Sequence, residues 1–260
     1  MKGKVRAESF ELTSAEREVA DLLPIEADPD DARQARDGVP FWFHTFALNR
    51  REGIYTPGYA RDHRYRIPAI PADFDGLRVL DVGTFDGFYA FLAEARGARR
   101  VVAVDNEQYT EWVRDRWGVE LSGGEGYRTI AELLGSTVEY RKVDALELDR
   151  LDERFDFIFC AGILHRVDAP RRLLEVLRRR LATGGRILLE THGVFEDPDD
   201  GDPIHRYAPG EVYPGDEYVH WGFTAGGLDV LAREAGYSGF ELFDSPVIDA
   251  HPRILGWLRA

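Results

Sequence analysis

The stretch Arg78-Val-Leu-Asp-Val-Gly-Thr-Phe-Asp-Gly-Phe88, followed by Val101-Val-Ala-Val-Asp105, constrains the fold more than any other part of the chain. An apolar strand runs into a carboxylate and a glycine turn, the turn opens a helix, and a second apolar strand ends in another carboxylate. That order is a βαβ unit of the nucleotide-binding kind. Gly83 and Gly87 let the backbone turn tightly and approach a ligand closely. Asp105 lies 22 residues beyond Gly83, where its carboxylate can accept hydrogen bonds from a ribose diol. The expected ligand is an adenosine derivative.

The spacing narrows the choice. A dinucleotide fingerprint, Gly-x-Gly-x-x-Gly, leaves room for a pyrophosphate at the helix N-terminus. Here the turn reads Gly83-Thr84-Phe85-Asp86-Gly87, so a benzyl ring stands where phosphate should approach and Asp86 adds repulsion. Asp81 and Asp86 suit a cationic amino group better than a diphosphate. S-adenosylmethionine, with an ammonium, a sulfonium and a ribose but no phosphate, fits this pattern. A nicotinamide-dependent oxidoreductase ranks last.

From Leu77 onward strands and helices alternate, which predicts an α/β, Rossmann-like doubly wound parallel sheet. Strands are expected near 78–81, 101–105, 137–142, 155–160 and 186–191, and helices near 86–96, 107–116, 125–134, 170–182 and 225–235. In helix 170–182, Leu173, Leu174, Leu177 and Leu181 form one stripe and the arginines fall mostly elsewhere, as on a solvated face. Two closing strands are expected at 240–243 and 254–258. Residues 1–75 form a helical and aromatic appendage to a domain spanning 76–260. Thr13-Ser-Ala-Glu16 has capping-box spacing ahead of Val19, Leu22 and Leu23, and Asp28-Pro-Asp-Asp opens a second helix. The aromatics of 41–46 and 53–59 suit either a wall over the ligand pocket or packing against the core. Segment 194–222 breaks the alternation after the fifth strand, at the ligand-binding edge, and is expected to cover the substrate.

These motifs resemble those of class I S-adenosylmethionine-dependent methyltransferases over roughly residues 76 to 259. Leu80-Asp-Val-Gly83 is similar to that family's first motif, with Phe85 inside its usual glycine run. Val104-Asp105-Asn106 resembles the ribose-binding end of the second strand, and Val143-Asp144-Ala145 the adenine contact. Phe155-Asp-Phe-Ile-Phe-Cys-Ala-Gly-Ile-Leu-His165 matches the fourth strand and the substrate-facing loop. The resemblance implies a seven-stranded sheet with the last strand antiparallel. It also implies cofactor contacts from Asp81, Gly83, Thr84, Phe85, Gly87, Asp105, Asn106, Asp144, Ala145 and Ala161. Gly162-Ile-Leu-His-Arg-Val-Asp-Ala-Pro170, Leu189-Glu-Thr191 and Val212-Tyr-Pro-Gly-Asp-Glu-Tyr218 resemble the tRNA wobble-uridine carboxymethyltransferase group most closely. That group has Tyr-His where this chain has His165-Arg166. The tyrosine associated with a carboxylated cofactor is missing, which implies ordinary methyl transfer.

Methyl transfer from a sulfonium is an in-line displacement, so the protein must align the acceptor and, for a hydroxyl, remove a proton. His165 and His192 follow the fourth and fifth strands at the same edge as the glycine turn, and imidazole titrates near neutrality. Either is a candidate base, with Glu190 an alternative and His44 and His220 weaker candidates as pocket linings. Glu196, Asp197, Asp199, Asp200 and Asp202 could meet a hard cation, but acidic residues among glycine and proline read as a solvated loop, and no metal is expected. The formal charge of −14, from 33 basic and 47 acidic residues, opposes a polyanionic partner. The single cysteine, Cys160, excludes an intrachain disulfide and reads as a core residue. No signal-peptide core or membrane-length apolar run is evident, which predicts a soluble, cytoplasmic protein. These observations favour O-methylation of a small hydroxylated metabolite, without nucleic acid or membrane and with homo-oligomerisation left open. The alternatives are a tRNA wobble-uridine modification enzyme and a non-catalytic cofactor-binding regulatory module.

Overall fold

The computed structural model describes residues 11–194, 205–209, 211, 216–244 and 253–259. Thr13 opens α1 (Ser14–Ala20) with the predicted capping box: its hydroxyl accepts the Glu16 N–H at 3.2 Å while the Glu16 carboxylate accepts the Thr13 N–H at 2.8 Å. Asp28 caps α2 (Pro29–Gly38), with Pro29 in the first turn, where a missing N–H is harmless. A small hairpin of β1 (Ala47–Asn49) and β2 (Ile54–Tyr55) follows.

The alternating part runs β3 (Arg78–Val82), α3 (Phe88–Ala95), β4 (Arg100–Asp105), α4 (Tyr109–Trp117), α5 (Glu125–Leu134), β5 (Glu139–Lys142), β6 (Phe155–Ala161), α6 (Pro170–Arg180) and β7 (Leu181–His192). Then come β8 (His205–Tyr207), β9 (Trp221–Phe223), α7 (Ala225–Glu234), β10 (Gly239–Leu242) and β11 (Arg253–Arg259). Seven of these strands form one sheet in the order β10-β11-β7-β6-β3-β4-β5, with β11 antiparallel to both neighbours and the other pairings parallel. The expected doubly wound α/β fold with an antiparallel last strand is the observed one. The chain leaves β3 toward β4 and later returns to its other side with β6. The carboxyl ends of these strands therefore flank a topological switch point, where such sheets bind ligands.

Strand periodicity divides the core into two layers. Val79, Ala103, Phe157 and Phe159 face one layer, while Leu80, Val82, Val102, Val104, Ile158 and Cys160 face the other. The first layer also holds Val19, Leu23, Trp42, Phe46 and Leu48, packed with Phe88 and Phe91 of α3. The appendage thus completes the core on one face of the sheet. The second layer receives Leu173, Leu174 and Leu177 of α6 and Leu228 of α7.

Some boundaries differ from expectation for local reasons. The helix predicted from 86 starts at Phe88, because Phe85 (φ +52°) and Gly87 (φ +89°) keep the turn left-handed up to that point. The helix predicted to 182 ends at Arg180, and Leu181 is extended and pairs with Phe155. Within 194–222, β8 and β9 pair antiparallel, and the Val194 N–H donates to the Phe223 carbonyl at 2.9 Å. The described part of that segment therefore carries its own sheet. The acidic run Glu196, Asp197, Asp199, Asp200 and Asp202 lies outside the described residues, as does Tyr213.

Candidate active site

A cavity of about 530 Å³ opens at the switch point. Its walls include Asp81, Gly83, Thr84 and Phe85 after β3, Asp105, Asn106 and Tyr109 after β4, Asp144 and Ala145 after β5, and Ala161, Ile163 and His165 after β6. Four separate strands deliver these groups because their carboxyl ends are in register in the parallel sheet. Gly87 is not part of this wall. A Cβ there would press on Phe91 and Tyr127, so its role is to let α3 pack.

Four of the N–H groups at this turn are already engaged within the protein. The N–H groups of Gly83 and Thr84 donate to the Val104 carbonyl at 2.9 and 3.1 Å, that of Phe85 to Asp105 at 2.9 Å, and that of Gly87 to the Thr84 carbonyl at 2.8 Å. A pyrophosphate at a helix start relies on such groups being available. Asp86 turns away from the cavity, and its Oδ2 accepts the N–H groups of Phe43 and His44 at 2.9 and 2.8 Å. The expected repulsion by Asp86 is therefore replaced by a structural anchor. At Gly83, φ is +75° and a Cβ would fall 2.1 Å from Ile163 Cδ1. Close approach of turn and loop is what glycine permits here.

Asp105 is 7% exposed, and its oxygens accept the N–H groups of Phe85 and Glu107 at 2.9 and 2.7 Å. Burial pushes its carboxyl up to about 6, against the pull of those two N–H groups. Asp81, bonded to the Thr84 hydroxyl at 2.7 Å, is likewise raised by burial to about 6. Asp144 caps the turn after β5 through Leu146 N–H and accepts from the Asn106 side chain at 2.8 Å. Carboxylates at the ends of three adjacent strands thus lie along one wall, matching the polar groups of an adenosyl sulfonium. The residues present fit that cofactor and not a dinucleotide.

The β6 and β7 ends carry the expected catalytic residues. His165 is fully buried, and its Nδ1 lies 3.2 Å from the Thr191 hydroxyl and 3.3 Å from His192 N. Its Nε2 has no hydrogen-bond partner among the described residues. Burial, then the neighbouring His192 and Arg166, hold its pKa well below the ordinary imidazole value, so the ring is neutral. The His192 ring lies 4.4 Å from that of His165 but is not part of the cavity wall. Glu190 is fully buried, 2.7 Å from Arg66 Nη2 and 3.1 Å from Arg253 Nη1. Burial raises its carboxyl, but Arg66, Arg253 and His192 together hold it below the ordinary value of 4.5. A carboxylate gripped in this way is a weaker proton acceptor than a free one.

Several wall residues carried no motif. Arg66 and Arg253 lie in segments that match no motif, and Tyr109 and Trp112 lie on α4, whose stripe reads as core. The 41–46 segment did carry a signal, and its two expected roles divide by position. Trp42 and Phe46 are buried in the core, while Phe43 and His44 face the cavity. Phe43 stacks on Phe85 at 4.7 Å, and Phe85 stacks on Tyr109 at 3.8 Å. His220 and Tyr218 also reach the wall. The main-chain N–H of His220 donates to the His165 carbonyl at 2.8 Å.

Fold and cavity define a protein that presents an adenosyl ligand to an acceptor across the edge of an α/β sheet. A family model described as a methyltransferase domain matches residues 51–242, and the chain belongs to that family, as a class I enzyme whose cofactor is S-adenosylmethionine. The tRNA U34 carboxymethyltransferase of Pseudomonas putida is 26% identical over 259 residues, covering 95% of this chain and 74% of that protein. Its namesake in Campylobacter hominis is 30% identical over 128 residues, 49% of this chain and 40% of the relative. The Campylobacter concisus protein of that name is 22% identical over 186 residues, 72% and 58%. The chain thus spans 40% and 58% of the length of the two Campylobacter relatives. Among solved structures, the N-terminal domain of EvdMO1, determined with S-adenosylhomocysteine and D-fucose, has a TM-score of 0.51 at 18% identity, covering 97% of this chain and 99% of that one. The 1,6-didemethyltoxoflavin-N1-methyltransferase of Burkholderia thailandensis has a TM-score of 0.50 at 23% identity, covering 71% of each chain. These likenesses show the fold.

The tRNA-named relatives overturn two expectations, a small hydroxylated acceptor and the absence of a nucleic-acid partner. The second rested on net charge, which sums the whole surface, whereas a single base is recognised by the few groups around one cavity. No helix among the described residues is long and apolar enough to cross a membrane.

Proposed function

We propose that this chain modifies tRNA, transferring the sulfonium-borne group of its cofactor to a uridine base turned out of the anticodon loop. The observation that carries this reading is the 26% identity to the Pseudomonas putida tRNA U34 carboxymethyltransferase across 95% of the chain. The cavity supports it: the rings of Phe43, Tyr109 and Trp112 line it, and Arg166 lies over Trp112 at 5.8 Å, a setting in which an unstacked base finds aromatic and guanidinium faces.

On this reading residues 76–260 are the catalytic unit, 1–75 its appendage and 194–222 the cover over the acceptor. Asp105 and Asn106 hold the ribose, Asp144 and Ala145 the adenine, and Asp81, Gly83, Thr84, Phe85 and Ala161 the remainder of the cofactor. His165, neutral and with Nε2 unpaired among the described residues, holds the acceptor's oxygen in line. The test is to incubate the purified protein with S-adenosylmethionine and bacterial tRNA, digest the tRNA to nucleosides and weigh them. A uridine derivative gaining a methyl group, with matching release of S-adenosylhomocysteine, is the expected result. Unmodified tRNA beside intact donor would overturn the proposal.

A further inference from the structure

His44 is held in a way that the methyltransferase motifs do not account for. It sits in the appendage at 4% exposure, yet it is part of the cavity wall beside Asp81, Gly83 and Thr84. Its Nδ1 is paired with Asp86 Oδ1, while Asp86 Oδ2 takes the main-chain N–H groups of Phe43 and His44. One buried carboxylate therefore fixes both the backbone and the ring plane of this residue. The other ring atom, Nε2, is buried and has no hydrogen-bond partner among the described residues. Like Nε2 of His165, it is a buried polar atom left without a partner at the cavity wall, which points to a ligand that completes it.

Position along the cavity identifies which part of the ligand that is. Asp144 after β5 and Asp105 after β4 take the adenine and ribose ends, so the amino-acid end of the adenosyl ligand falls beyond them, toward β3. That is where His44 stands, close enough to Asp81 for the two side chains to interact electrostatically. Its other polar neighbours are the His63 ring at 5.2 Å and the Tyr89 ring at 5.7 Å, and Tyr89 is already bonded to His63 Nδ1 and to Arg66. We propose that His44, oriented by Asp86, binds the amino-acid end of S-adenosylmethionine through Nε2. The appendage thereby supplies part of the cofactor site. This inference does not depend on the identity of the acceptor.

The test compares two ligands that differ only at that end. Calorimetric affinities are measured for S-adenosylhomocysteine and for 5′-methylthioadenosine, which keeps the adenine, ribose and sulfur but lacks the amino-acid arm. His44→Ala is expected to weaken S-adenosylhomocysteine binding by on the order of tenfold or more, the scale of one lost hydrogen bond to a charged group. Affinity for 5′-methylthioadenosine should stay at the wild-type value. Asp86 still anchors two main-chain N–H groups in this variant, so the segment keeps its hold. Should His44→Ala fail to fold, His44→Phe fills the same space against Phe88 and His63 and serves the same comparison. An equal loss for both ligands, or no loss for S-adenosylhomocysteine, would overturn the proposal.

Discussion

Replacing Glu190 with Gln tests whether this buried carboxylate is a strut or a chemical group. Its side chain has no solvent exposure, and it lies between Arg66, 11% exposed, and Arg253, 21% exposed. The substitution leaves two guanidinium charges sharing a neutral amide. Removing one member of a buried ion pair costs about 3–5 kcal/mol. Gln keeps one acceptor oxygen and Arg253 keeps some water, so the lower figure of about 3 kcal/mol applies here. For a chain of this size that lowers Tm by roughly 6–12 °C. Thermal and urea unfolding followed by tryptophan fluorescence read the change directly. The pH dependence gives a second check. Because the folded-state pKa of Glu190 lies below its ordinary value of 4.5, its contribution is complete above that value and is lost as pH falls through the folded pKa. The gap between wild type and variant should therefore be widest near neutrality and close in acid. A variant with unchanged Tm but no turnover would refute the reasoning and return Glu190 to the chemistry.

Three other outcomes follow from the geometry. Gly83→Ala should weaken S-adenosylhomocysteine binding at least tenfold, because the new methyl meets Ile163 at a left-handed φ; pairing it with Ile163→Ala should recover only part, since the backbone strain remains. The affinity for S-adenosylhomocysteine should be flat above about pH 7 and decline as pH drops through about 6, where the raised carboxyls of Asp81 and Asp105 protonate. A titration showing no slope between about pH 5 and 7 would remove ionised Asp105 from the site. Tyr237→Phe should cost about 1 kcal/mol in urea unfolding, through loss of the buried 2.8 Å bond to the Leu174 carbonyl, without affecting cofactor binding.

Strands β3, β4, β6 and β7 were legible in the sequence because each is an apolar run ended by a carboxylate or followed by glycine, and α6 because its leucines repeat at helical spacing. The ends of elements were less so: Leu181 fits the α6 stripe by spacing, yet it is drawn into β7 by pairing with Phe155, a contact between residues 26 apart. At the site, Asp105, Asp144 and Gly83 stand out because local chain geometry dictates their type. Arg66 and Arg253 do not, since each acquires its role only when Glu190 arrives between them from a distant strand. Asp86 shows the same effect, because what it binds lies 42 and 43 residues earlier in the chain.

The layer shared by the appendage and α3 bears on how the protein is made. Val19, Leu23, Trp42, Phe46 and Leu48 leave the ribosome before Phe88 and Phe91, the rings they pack against. Until those later residues emerge, the nascent segment has greasy side chains and nothing to enclose them. Translation that stalls between Leu48 and Phe88 would leave a sticky fragment, and chaperone capture should peak over that window of nascent lengths and fall once α3 has cleared the exit tunnel.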